Sequence, residues 1–142
     1  MMKINGRLLP VLLVSALPLA AVADDARQLV ELPARMQQHM LANMRDHLAT
    51  LDRVLAQLAA GEGDQAADLA EARLGMSSLD SHGAGHMAGF MPAEMQAIGT
   101  GMHKAASRFA RVAREGEPLA AYAALQEVTA ACVACHAGYR LR

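Results

Sequence analysis

Residues 29–58 read LVELPARMQQHMLANMRDHLATLDRVLAQL, and they give the clearest structural signal in the chain. Apolar or core-capable residues recur at alternating intervals of three and four, which marks one buried stripe of an α-helix. The stripe consists of Leu29, Leu32, Met36, Met40, Met44, His47, Leu51, Val54 and Leu58. The pattern predicts a first helix over about 25–60, in which Pro33 starts a new helical segment after a short lead-in. Gly61 and Gly63 mark its end.

Two more helices are predicted in the middle of the chain. A weaker apolar pattern indicates a second helix over 64–79, and the Gly-rich stretch 81–86 indicates a loop. Pro92 fits the first position of a third helix that extends to about Arg114. The stripe of this helix consists of Met95, Ile98, Met102, Ala105, Phe109 and Val112. Gly99 and Gly101 lower its propensity, and close approach of another helix or a flat cofactor would explain them.

Pro118 opens a fourth helix, after a turn over 115–117. Its expected apolar face consists of Leu119, Tyr122, Leu125, Val128, Cys132, Cys135 or His136, and Tyr139. The composition is rich in Ala, Leu and Met, has no Trp and is poor in strand-favouring residues. Four helices with short connections predict an all-α, up-down-up-down four-helix bundle.

The first 23 residues have the organisation of a secretory signal peptide. Lys3 and Arg7 form a positive n-region, residues 8–20 are mostly apolar, and residues 21–23 read AVA, a small-residue cleavage site. The apolar run is short for a membrane span, and we find no second run after it. We therefore expect cleavage after Ala23, a periplasmic product, and one domain over 24–142.

The expected mature chain is mildly acidic. The formal charge of the whole sequence is -1, and loss of Lys3 and Arg7 takes it to -3. This balance does not indicate binding to nucleic acid, and it is typical of a soluble exported protein with no further membrane contact.

The two cysteines of the chain fall in a C-x-x-C-H sequence at residues 132–136. Thiols at this spacing add to the two vinyl groups of haem as thioethers, and the adjacent histidine is then held under the iron. This attachment takes place outside the cytoplasm, in agreement with the export signal. The motif predicts one covalent haem c on Cys132 and Cys135, with His136 as the proximal iron ligand.

Two other interpretations of the motif explain less. A disulfide between Cys132 and Cys135 would suit an oxidising compartment, but it would leave His136 without a role. A thioredoxin-type motif needs a βαβ context, which the sequence does not show. A zinc site would need a second pair of ligands, and the chain has no other cysteine.

The position of this motif, close to the end of the last helix and followed by AGYR at residues 137–140, resembles the cytochrome c′ family. The C-x-x-C-H-x-x-Y-R ending is the most specific part of the resemblance, which covers the expected mature chain in architecture. It implies that Arg140 lies near the haem edge or His136, where the alternative is a solvated terminal arginine. It also implies a homodimer through the first two helices, although the sequence shows no decisive surface stripe.

The resemblance also concerns the residue across the iron. In cytochrome c′ an apolar residue usually occupies this distal position, and low-spin relatives place a methionine of the first helix there. Alignment with the family's pattern puts Met44 at this position and implies that it is the sixth ligand. The helical stripe alone equally allows Met40 and His47, and methionines also fill cores. Phe109 and Tyr122 are expected to pack in the core or against the haem.

A Met- and His-rich segment over 82–103 raises the question of a second metal. Thioethers and imidazoles suit Cu(I), and methionines recur every fourth residue at Met87, Met91 and Met95. The histidines of the segment are His82, His86 and His103. Because Met91 and Met95 lead into the stripe of the third helix, we interpret the spacing as core packing.

Two functions are compatible with these residues. A one-electron carrier needs a six-coordinate iron, which Met44 would supply, and its partners would be other redox proteins. A protein that binds or buffers nitric oxide or carbon monoxide needs an open distal pocket, which Leu41, Met40 and Phe109 would line. No acid–base constellation accompanies the motif, so we expect no enzymatic activity. The electron carrier is our prediction.

Overall fold

A computed structural model describes residues 24–142, so the predicted signal peptide lies outside the described residues. The described chain is mostly helical with almost no strand, which confirms the predicted all-α class. Its helices are α1 (Ala34–Ala59), α2 (Gly63–Leu74), α3 (Ala84–Ala88), α4 (Ala93–Ala113) and α5 (Pro118–Gly138), with a short 3-10 helix at Met76–Ser78. Two two-residue strands, β1 (Gln28–Leu29) and β2 (Tyr139–Arg140), complete the described elements.

The first helix begins later than the sequence pattern predicted. Pro33 has an extended ψ of 141°, and α1 starts at the next residue, so the expected helical lead-in over 25–33 is wrong. Proline disfavours helical backbone at the residue before it, which explains the boundary. The lead-in instead pairs with the chain end: β1 is parallel to β2, with Gln28 opposite Tyr139, and the Val30 N–H donates to the Arg140 carbonyl.

The second helix ends earlier than predicted, at Leu74 rather than Leu79. Gly75 takes an extended ψ, and the Glu71 carbonyl at the end of the helix accepts from both the Gly75 N–H and the Ser77 hydroxyl. The expected loop at 81–86 holds only as far as Gly83, whose φ of +65° is a conformation that glycine adopts at low cost. Residues 84–86 already belong to α3, so the prediction of a loop there is wrong.

The core is divided into two clusters of side chains. The larger, here called the alanine-rich core, forms where α2 packs on α1 and α4, and where α4 packs on α5. Its buried residues include Val54, Ala66, Ala70, Leu74, Ala106, Phe109, Ala110, Leu125 and Val128. The second, here called the methionine cluster, buries Val30, Met40, Met87 and Met95 and has Met44, Met91, Cys135 and Tyr139 packed around it.

The last helix buries only part of the face that the apolar spacing predicted. Leu119 is 84% exposed and Tyr122 is 42% exposed, whereas Ala121, Leu125 and Val128 are buried. Ala121, Leu125 and Val128 belong to the alanine-rich core, whereas Leu119 and Tyr122 remain outside it. Among residues 24–142, α5 alone is long and apolar enough to cross a membrane by length and composition, a test that core helices of soluble proteins also pass.

Candidate functional site

A cavity of about 540 Å³ lies among α1, α3, α4 and the C-terminal end of α5. This volume is in the range of pockets that hold cofactors and other small molecules. The cavity brings together segments that are far apart in the sequence. Six methionines line it: Met40, Met44, Met87, Met91, Met95 and Met102.

The two thiols of the C-x-x-C-H motif lie one turn apart near the end of α5 and form no disulfide with each other. Cys135 lines the cavity beside His136, and Cys132 packs against the alanine-rich core. Burial raises the pKa of both thiols, with the neighbouring Cys132 adding to the shift at Cys135, so both are protonated at neutral pH. Two free, protonated thiols at this spacing suit addition to a pair of vinyl groups.

All three candidates for the distal ligand come to the cavity from α1. Met40 and His47 are buried, Met44 is partly buried, and each lines the cavity. Their spacing of four and three residues keeps them on one face of the helix, as the sequence stripe predicted. The structure therefore brings the candidates to the same space as His136.

A cluster of charged residues lies beside the motif. Arg27 donates two hydrogen bonds to the Asp25 carboxylate and a third, at 3.5 Å, to the His136 carbonyl. The hydrogen bonds from Arg27 lower the pKa of Asp25 to about 2. Arg140 lines the same cavity, and its buried Nε, 3.6 Å from Asp25 Oδ2, has no hydrogen-bond partner. Arg27 could not be singled out from the sequence, because the β1–β2 pair brings it there.

Several aromatic and glycine positions differ from the expected arrangement. Phe109 does not line the cavity; it is fully buried in the alanine-rich core, where its face of α4 meets α2 and α5. Tyr122 is partly exposed beside α1, whereas Tyr139 lines the cavity. Gly99 also lines the cavity, and a Cβ there would meet no atom within 4 Å. Gly101 likewise has no close neighbour, so no approaching helix explains either glycine.

Three histidines from different elements meet at the cavity. The ring centroids of His47 and His82 are 4.7 Å apart, those of His82 and His103 are 5.5 Å apart, and those of His47 and His103 are 6.0 Å apart. All three residues are buried, and His47 Nε2 has no hydrogen-bond partner. His86, which the sequence grouped with His82 and His103, is exposed. We call His47, His82 and His103 the histidine cluster.

We expect the free energy of unfolding to decrease as the pH falls from about 6.5 to about 4. Burial and the nearby rings of His82 and His103 lower the pKa of His47 from 6.5 to about 4. The unfolded chain therefore takes up a proton in this window that the folded chain resists, at a cost on the order of 3 kcal/mol. Urea unfolding across the window measures the effect. His47→Gln should flatten the profile, whereas the exposed His39→Gln should not; equal slopes in both variants would contradict the assignment.

As the side chains stand, no group of three or more His, Cys, Asp or Glu residues within 24–142 could hold a metal ion. Comparison of the chain with protein-family models, with curated proteins and with solved structures gives no match. The functional interpretation therefore depends on the residues and their geometry.

Proposed function

We propose that the chain is an exported c-type cytochrome that carries single electrons in the periplasm, with one haem on Cys132 and Cys135. The observation that carries this proposal is the cavity itself, because Cys135 and His136 of the C-x-x-C-H motif line it together with three distal-ligand candidates. The expected up-down-up-down four-helix bundle belongs to the same proposal. Packing of α2 on α1 and α4, and of α4 on α5, supports it.

The residues around the cavity suit a haem. The methionine side chains offer an apolar wall that keeps water away, and His136 offers an imidazole nitrogen as the proximal ligand. Arg140, whose Nε has no hydrogen-bond partner, and Arg27 would bind the two propionates, since carboxylates prefer arginine partners; both would then exchange contacts with Asp25 for contacts with the propionates. When bound, the haem supplies a reversible one-electron change at its iron.

The distal wall favours electron transfer over gas binding. Met40, Met44 and His47 all offer a donor atom, and a methionine ligand raises the haem potential. The gas-binding alternative needs a purely apolar distal pocket, and of its three expected lining residues Leu41 and Met40 face the cavity while Phe109 does not. Redox proteins are the proposed partners; the homodimer and the lack of enzymatic activity stay predictions.

Intact-mass measurement of the protein from periplasmic material tests the proposal. We expect a chain that begins at Asp24 and carries the added mass of one haem, which persists after denaturation because thioethers are covalent. A retained leader would contradict export and cleavage after Ala23. A denatured mass equal to that of the bare polypeptide would contradict haem attachment and with it the proposed function.

A further inference from the structure

We propose that the histidine cluster of His47, His82 and His103 is a second metal site and that it binds one copper(I) ion. The C-x-x-C-H motif does not account for these residues, because they come from α1, the segment before α3, and α4, whereas the motif belongs to α5. The inference does not need the proposed haem, but it requires that Met44 or Met40, rather than His47, is the distal iron ligand.

The spacing of the rings agrees with a three-histidine centre. A metal–nitrogen bond of about 2 Å places a ring centroid about 3.2 Å from the ion, so two rings on one ion lie roughly 5.2–5.5 Å apart in tetrahedral or trigonal geometry. The three observed separations are 4.7, 5.5 and 6.0 Å. They lie on both sides of that value, so the rings are near enough to share one ion, and their nitrogens must turn towards it, since the side chains as they stand do not form a metal-binding group.

Hydrogen bonds already fix the tautomer of two of the rings. His103 Nδ1 lies 2.7 Å from the Leu74 carbonyl, which can only accept, so Nδ1 carries the proton and Nε2 the lone pair. The Ser78 hydroxyl donates to the Gly75 carbonyl, so at 3.3 Å it accepts a proton from His82 Nδ1. Metal-binding histidines usually donate their second ring nitrogen in this way, which orients the ring and raises its basicity.

The third ring supplies an unused donor atom. His47 is 7% exposed, and its Nε2 is buried without a hydrogen-bond partner. A buried polar atom of this kind is costly unless something satisfies it. Because Nε2 makes no hydrogen bond, rotation of the His47 ring breaks none at this atom. The rotation can bring Nε2 towards the ring nitrogens of His82 and His103, which is the arrangement that a metal ion needs.

The chemistry of the surroundings favours copper(I) over zinc. Imidazole binds a metal in its neutral form, and burial lowers the pKa of His47 and His82, which favours that form in these two rings. No carboxylate belongs to the cluster, so a monovalent ion costs less to bury than a divalent one. The thioether of Met102 lines the same cavity, and soft sulfur ligands select copper(I).

The test is an anaerobic titration of the mature protein, as purified, with copper(I) in competition with a coloured cuprous chelator. We expect one equivalent of copper(I) per chain, and zinc(II) should bind more weakly. His82→Gln and His103→Gln should each abolish tight binding; neither residue is a candidate haem ligand. Ser78→Ala keeps all three ligands and should weaken binding about 10- to 100-fold, since it removes the partner of His82 Nδ1.

The control is His86→Gln, an exposed histidine four residues from His82, which should bind copper as the parent does. Far-UV circular dichroism tests whether each variant is folded. If a histidine variant is misfolded, the copper affinity of Ser78→Ala decides the test. The inference is overturned by a parent without stoichiometric binding, by unchanged binding in both His82→Gln and His103→Gln, or by loss in His86→Gln. Tighter zinc(II) binding would overturn the choice of metal. The mass of the same samples reports haem separately, so the two proposals fail independently.

Discussion

Replacing Cys132 and Cys135 together by serine is expected to give an exported chain that carries no covalent haem. Serine hydroxyls do not form the thioethers, so the denatured variant should have the mass of the polypeptide alone. Each single variant keeps one thiol and should retain at most one thioether. Val133→Ala is a matched control, because this residue stands between the two cysteines and is 69% exposed; its haem content should equal that of the parent.

The same double variant should also be less helical and less stable. A ligand that binds only the folded state stabilises it, and the cavity of about 540 Å³ would lack its occupant. Circular dichroism and thermal unfolding measure the loss. His136→Ala separates attachment from ligation: its thioethers should form, while its absorption spectrum should differ from that of the parent. Full haem content in the double variant, or an unchanged spectrum in His136→Ala, would contradict the assigned roles.

Met44→Ala is expected to leave the sixth coordination position of the haem iron free for an added ligand. If the Met44 thioether is the sixth ligand, the ferric parent should show a weak charge-transfer band in the far red, and the variant should lose it. Carbon monoxide should bind the ferrous variant faster by an order of magnitude or more, because each 1.36 kcal/mol needed to break an existing bond slows binding about tenfold. The reduction potential should fall, since a methionine ligand raises it.

Met40→Ala and Met95→Ala are the matched controls, because each removes a thioether from the same cavity wall. Neither should change the band if Met44 is the ligand. A high-spin parent that binds carbon monoxide quickly would favour the gas-binding function. If the parent is low-spin and its spectrum changes in Met40→Ala or His47→Gln but not in Met44→Ala, the function remains electron transfer. The sixth ligand is then the residue whose replacement changes the spectrum.

The helices could largely be predicted from local sequence signals. The third and fourth predicted helices agree with α4 and α5 to within about a residue at most ends, because Pro92 and Pro118 fix where each begins. The errors lie where an apolar stripe continues across a break in the backbone: Leu29 and Leu32 before Pro33, and the residues after Gly75. Spacing predicts which residues share a helical face, but not where the backbone leaves the helix.

The candidate site was only partly predictable. The C-x-x-C-H motif and the α1 stripe each lie within one continuous segment of the sequence, so their candidate residues could be selected without coordinates. The histidine cluster could not, because His47 lies outside the Met- and His-rich segment and joins His82 and His103 only through packing. The same reason applies to Arg27, and Phe109 shows that an apolar stripe does not reveal which neighbour it faces. The distal ligand stays a prediction, since three candidates line the cavity.

The parallel pairing of β1 with β2 has a consequence for the order in which the molecule assembles. It joins Gln28 to Tyr139, a contact that spans nearly the whole domain, whereas the helices pack mainly on their neighbours along the chain. Contacts between residues that are far apart in the sequence have the largest entropic cost of loop closure, and they tend to form late. The helices can therefore associate while the end that carries Cys135 and His136 is still detached. We therefore expect the proposed attachment of haem to that end to take place before the two strands pair.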